Sequence, residues 1–295
     1  MCDDLTEADN EAYLSDGAVS RRHFAAIAGA AGIVAVLPRA ADAQATRGKD
    51  VMITTPDGTC DAYWVAPAKG RHPAVLVWPD IYGLRPAFRQ MADRLASSGY
   101  AVLVVNQFYR STKAPFIKPG ETLETPGVRE KVMPWRALLT PDATRRDAAA
   151  FVAWIDTQPQ TDTRRGMATT GYCMGGPMVF YTAGAHPDRI RAGATFHGGG
   201  LATDKPDSPH LQVPKMKGGY LIAVAQNDDA RNPQEKETVR AAFAAAKLPA
   251  EIEVYPAQHG WTVPDSKIYN AEAAEKAWAR QLALFKQMLS AGRGK

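Results

Sequence analysis

Cys173 stands in the run Gly171-Tyr172-Cys173-Met174-Gly175-Gly176, with one glycine two residues before it and another two after. That spacing suits a nucleophile on a sharp strand-to-helix turn, where a side chain at either flank would strike neighbouring backbone. Gly166 to Thr170 reads as a buried strand leading in, and Pro177 to Ala185 as a helix leading out. A thiol at that helix N-terminus has its thiolate favoured by the helix dipole. The same peptide also fits a buried cysteine in a Gly-rich turn of another α/β protein, so the partners decide.

Two partners follow in chain order. The apolar run Leu221 to Ala225 is followed by Gln226-Asn227-Asp228-Asp229, and Ile252 to Tyr255 by Pro256-Ala257-Gln258-His259-Gly260-Trp261. Nucleophile, acid and base, each just past a strand, form the set that thiol catalysis needs. The imidazole takes the thiol proton, the carboxylate fixes the tautomer and steadies the imidazolium, and the thiolate attacks. Asp228 is preferred because it comes first after the strand and follows Asn227, which can support the turn; Asp229 is the alternative. His72, His186, His197 and His210 read as ordinary surface or packing residues.

The elements that must hold these groups are legible as alternating patterns. Strands are predicted at Val51–Thr54, Asp61–Ala66, Ala74–Trp78, Ala101–Val105, Met167–Thr170, Ala192–Phe196, Tyr220–Ala225 and Glu251–Tyr255. Helices are predicted at Pro86–Ser98, Asp142–Asp156, Met174–Ala185, Pro233–Ala246 and Asn270–Leu289. The first two strands form a hairpin across Pro56-Asp57-Gly58-Thr59, and from the third onward strand and helix alternate. That order predicts an α/β chain with a mostly parallel, doubly wound sheet of about eight strands and helices on both faces. Ligands of such sheets sit beyond the strands' C-terminal ends. Arg110 to Pro141 is a long connection rich in Pro and Gly. It is expected to border the substrate entrance, with Arg129 or Arg136 facing a substrate carboxylate or, equally, solvent.

With these residues in view, the chain resembles the dienelactone hydrolase family, the cysteine branch of the α/β-hydrolase fold. The resemblance rests on the Cys173 run, the Asn227-Asp228 turn, His259-Gly260-Trp261 and Trp78-Pro79-Asp80-Ile81-Tyr82-Gly83, and it extends from about Val51 to Leu289. It implies a carboxylate at Asp80 that holds the resting thiol, where the family usually carries Glu. Asp80 is one methylene shorter, so bracing the loop is its other possible role. It further implies an oxyanion hole from the backbone N–H groups of Ile81 and Met174. One such donor is typically worth about 3–4 kcal/mol of transition-state stabilisation. His197-Gly198-Gly199-Gly200 is expected to be a loop near the site, with His197 lining the pocket. Cyclic, enol-type lactones are the substrates the resemblance implies.

The amino-terminal segment reads differently. Ser20-Arg21-Arg22-His23-Phe24 precedes the apolar stretch Ala25 to Leu37, and Ala41-Asp42-Ala43 offers small residues for cleavage. This is the pattern of a twin-arginine leader for bacterial periplasmic export, cleaved near Ala43 or Ala45, with an apolar run too short for a stable anchor. Residues 44–295 are then one α/β-hydrolase domain. Removing residues 1–43 takes away three basic and seven acidic residues and leaves a formal charge of +8. That charge serves solubility and could steer anionic substrates; with no basic-aromatic cluster, nucleic acid is not an expected partner. Cys2 leaves with the leader, Cys60 is expected to be a small packing residue, and the nucleophile reading needs a free Cys173. No CxxC or clustered His/Cys spacing points to a metal or cofactor. The sequence therefore reads as an exported hydrolase of lactones or activated esters acting through a thioester. Its rivals are a thiol-dependent acyltransferase or amide hydrolase on the same fold, and a non-catalytic exported binding protein.

Overall fold

Runs rich in Val, Ala and Leu, buried from end to end, build the centre of the molecule. The computed structural model describes residues 4–15 and 44–290. Within them β1 (Thr46–Thr55) and β2 (Gly58–Pro67) form an antiparallel hairpin. Then come β3 (Ala74–Trp78), β4 (Ala101–Val105), β5 (Met167–Tyr172), β6 (Ile190–Phe196), β7 (Gly219–Ala225) and β8 (Ala250–Tyr255). One eight-stranded sheet results, in the order β1-β2-β4-β3-β5-β6-β7-β8. β2 meets β4 antiparallel, and every pair from β4 across to β8 is parallel. The eight predicted strands all form, and the fold is the α/β-hydrolase type.

The pleat sends alternate side chains to opposite faces, and both faces are covered. In β3, Val75 and Val77 join the layer under the helices α2 (Pro86–Ser97) and α8 (Ala271–Met288), packing on Phe88, Leu95, Trp278 and Phe285. Leu76 and Trp78 join the opposite layer under α4 (Pro141–Thr157), α5 (Gly176–Ala185) and α7 (Pro233–Ala245), with Phe151, Phe180 and Phe243. Each such side chain contributes roughly 1.5–3 kcal/mol on leaving water. Cys60 is fully buried in the second layer, its thiol donating to the Asn106 carbonyl at 3.4 Å, so it packs as expected.

Three elements were not anticipated from the sequence. Within the long 110–141 connection, Val128–Ala137 forms a helix, α3, with Pro134 inside it. Gln226–Arg231 is a short helix, α6, so Asp228 sits on a helical turn rather than in a loop. The predicted leader falls mainly outside the described residues, but its described part, Asp4–Ser15, is a helix, α1. Among the described residues no helix is long and apolar enough to cross a membrane.

Candidate active site

Three strands bring the candidate residues to their C-terminal ends: β5 leads into Cys173, β7 into α6 with Asp228, and β8 into the loop carrying His259. Cys173 opens a single 3-10 turn, Cys173–Gly175, before α5. Its φ of 51° lies in the left-handed region, which a side-chain-bearing residue adopts only when its surroundings enforce it. The flanking glycines supply the enforcement. A Cβ on Gly171 would strike the Gly175 carbonyl, and one on Gly175 would strike the Trp78 carbonyl at the end of β3. The turn is thus pressed onto both its own strand and the Trp78–Pro79 backbone.

The state of the sulfur corrects one expectation. In the full chain Cys173 is disulfide-bonded rather than free. Cys60 is free. A sulfur at a helix N-terminus exchanges more readily than one in an apolar core, because the dipole favours its thiolate.

His259 is buried, 4% exposed, and its Nδ1 lies 2.6 Å from Asp228 Oδ2. Asp229 turns away to Lys236, at 2.5 Å, which separates the two candidate acids by geometry. Asn227 completes the hold on the histidine by accepting the His259 backbone N–H at 2.8 Å. With Nδ1–H donating to the carboxylate, Nε2 is the basic nitrogen of the ring.

His197 joins the two halves of the site. Its ring centroid stands 4.9 Å from that of His259 and 5.2 Å from Trp261, and its Nε2 pairs with Thr262 Oγ1 at 2.9 Å. The next residue, Gly198, packs on the elbow: a Cβ there would lie 3.1 Å from Gly176 Cα and 3.7 Å from the Cys173 carbonyl oxygen. Burial, followed by the neighbouring His259, pushes the His197 imidazole well below its ordinary pKa. His197 is therefore a neutral wall of the site, with φ at 41°.

Asp80 braces the loop that carries it. Its Oδ1 and Oδ2 receive the Arg85 guanidinium at 2.7 and 2.9 Å, and Oδ1 also accepts the Tyr82 N–H at 2.9 Å. The carboxylate is given to the loop and to Arg85. Arg85 in turn reaches Asp265 with Nε and Nη2 at 2.8 and 2.9 Å. Burial works against its charge, but the Asp80 and Asp265 carboxylates more than restore it and hold the guanidinium above its ordinary pKa. One buried arginine thus ties the loop after β3 to the loop that follows His259. Sequence reading missed it: Arg85 is five residues from Asp80 and 180 from Asp265, and no local pattern marks such a bridge.

Ile81 lies inside the Asp80–Gly83 turn, whose Gly83 N–H bonds the Asp80 carbonyl at 3.0 Å, while Gln107 Nε2 donates to the same carbonyl at 2.7 Å. Ile81 and Met174 pack in one apolar cluster with Phe108, Phe116, Val132 and Trp135. The Phe116 and Trp135 rings meet edge to face at 5.3 Å, and Phe108 meets Phe116 at 5.4 Å. The long connection therefore roofs the Ile81–Met174 side of the site through aromatic residues of its helix and approach. Its arginine candidates are less committed: Arg129 pairs with Glu124 at 3.4 Å, and Arg136 is half-buried. Among the described residues no group of His, Cys, Asp and Glu is arranged to hold a metal ion.

The chain is similar to known proteins. A family model described as "Dienelactone hydrolase family" matches residues 60–289. A protein of Methylorubrum extorquens named "Putative carboxymethylenebutenolidase" is 27% identical over 293 residues, covering 95% of this chain and 97% of the relative. The carboxymethylenebutenolidase of Rhodococcus opacus is 27% identical over 229 residues, covering 76% of this chain and 84% of the relative. Among solved structures, one titled "Putative Dienelactone Hydrolase" from Klebsiella pneumoniae superposes with a TM-score of 0.71 at 24% identity. It covers 83% of this chain and all of the other, and shares the fold.

Proposed function

Because the chain belongs to the dienelactone hydrolase family, we propose that it hydrolyses lactones or activated esters through a thioester on Cys173. It is a carboxylic ester hydrolase of the carboxymethylenebutenolidase type. The observation that carries the finer reading is the 2.6 Å Asp228–His259 pair, set on strand ends beside an elbow cysteine and bridged to it by His197–Gly198.

In the reduced chain His259 Nε2 takes the Cys173 proton and the thiolate attacks the carbonyl carbon, forming a C–S bond as the C=O pair moves to oxygen. The Ile81 and Met174 N–H groups stabilise that oxyanion. Collapse breaks the carbon–oxygen bond to the leaving group, whose oxygen receives the proton from His259. Water then attacks the thioester as His259 removes its proton, and the C–S bond breaks to regenerate the thiol. A stabilised enolate or aryloxide suits this route, because a thiolate adduct goes forward only when the oxygen group departs more readily than the sulfur.

The Arg21-Arg22 pair and the apolar run after it support export to a bacterial periplasm, with residues 1–43 removed as a leader. The catalytic reading is tested by assaying a panel of lactones and aryl esters under reductant, with Cys173→Ala alongside. Wild-type turnover confined to the reduced, unalkylated enzyme is expected. Equal turnover by Cys173→Ala rejects it.

A further inference from the structure

The catalytic rim carries a passenger from the chain's own beginning. α1, Asp4–Ser15, packs on α6, the short helix that bears Asp228. Asn10 Nδ2 donates to the backbone carbonyl of His259 at 3.1 Å. Arg231, in the last turn of α6, donates Nη1 to Thr6 Oγ1 at 3.1 Å and forms an ion pair with Asp9. Thr6 is 2% exposed, so α1 is seated on the body rather than laid beside it. Its twelve residues carry four acidic side chains and no basic one, against a remainder that is net basic once residues 1–43 are set aside.

We propose that the rim formed by α6 and the His259 loop is a docking surface for α1, and that α1 covers the active site until the leader is removed. Three observations converge on this. The contacts fall on the histidine itself and on the helix holding its carboxylate partner. The occupant is complementary in charge, through Asp9 on Arg231. Cys173 and His259 are only 2% and 4% exposed with α1 in place, while the Cys173 sulfur is disulfide-bonded in this same full-length form. Reducing that disulfide consumes two electrons and two protons from a dithiol, which is itself oxidised to a disulfide, and gives two thiols. Reduction and departure of α1 are then the two steps that expose a working thiol.

The inference rests on the proposed roles of Cys173 and His259, and its test separates the two. Full-length protein, the Asp9→Ala, Asn10→Ala double variant, and a full-length form cleaved after folding at a protease site engineered between Ser15 and Gln44 are reduced with dithiothreitol, desalted anaerobically to remove it, and compared at once. Two rates are measured: alkylation of Cys173 by iodoacetamide, read by mass spectrometry, and hydrolysis of p-nitrophenyl acetate. Losing contacts that include a charged pair should raise the alkylation rate about ten-fold or more in both altered forms. Unchanged alkylation in both overturns the cover. Faster alkylation without ester hydrolysis keeps the cover and rejects the hydrolase reading.

Discussion

Asp228 Oδ2 and His259 Nδ1 stand 2.6 Å apart although 31 residues separate them in the chain. β7 and β8 run parallel and in register, with Ala225 opposite Tyr255. The residues that follow these two strand ends must therefore meet. Asp229, one position on, points to Lys236 instead.

That geometry separates two substitutions. Asp228→Asn, which loses the acceptor that sets the tautomer, should lower kcat by roughly 10³–10⁴-fold with little change in KM. Asp229→Asn should stay within a few-fold of wild type. Steady-state kinetics on an aryl ester under reductant distinguish them.

Arg85 should dominate stability at this end of the sheet. Arg85→Met leaves the Asp80 carboxylate buried without its cation and should cost about 3–5 kcal/mol in urea unfolding. Asp265, whose side chain is 46% exposed, is screened by water, so Asp265→Asn should cost under about 1 kcal/mol. Adding Asp80→Asn to Arg85→Met should recover part of the loss.

Much of this was legible because it is local. Glycines two residues either side of Cys173 and strand-length apolar runs are short-range signals, and every predicted strand formed. What escaped reading depends on distant partners. Arg85 is defined by carboxylates on two loops. α3 is hidden by Gly127 at its start and Pro134 within it, and its reason to exist is the apolar contact of Val132 and Trp135 with Phe108, Phe116 and Ile81. The disulfide at Cys173 left no local trace either, since pairing of cysteines is set by the folded chain.

His197 sets a pH dependence. Its folded pKa lies below the unfolded value, so the unfolded chain binds the extra proton, and stability falls as pH drops below about 6.5. The loss is at most about 1.4 kcal/mol per pH unit for this one proton. His197→Gln should flatten the fall between pH 7 and pH 5 in chemical denaturation, leaving the shallower contribution of His186, which burial shifts in the same direction.

The aromatic roof predicts a remote effect on catalysis. Trp135→Ala removes a ring that packs on Phe116 at 5.3 Å and loosens the cluster holding Ile81. A displacement of that N–H by about 1 Å should lower kcat/KM by up to about 10²-fold, with far-ultraviolet circular dichroism unchanged.

Trapping the acyl group measures the central chemistry most directly. Reduced protein, freed of α1, is mixed with a slowly deacylating aryl ester, quenched in acid and mapped by peptide mass spectrometry. One acyl group per chain on Cys173, absent from Cys173→Ala and accumulating in His259→Gln only at high pH, is the predicted result. Full ester turnover with no acyl group on Cys173 at any time would contradict it.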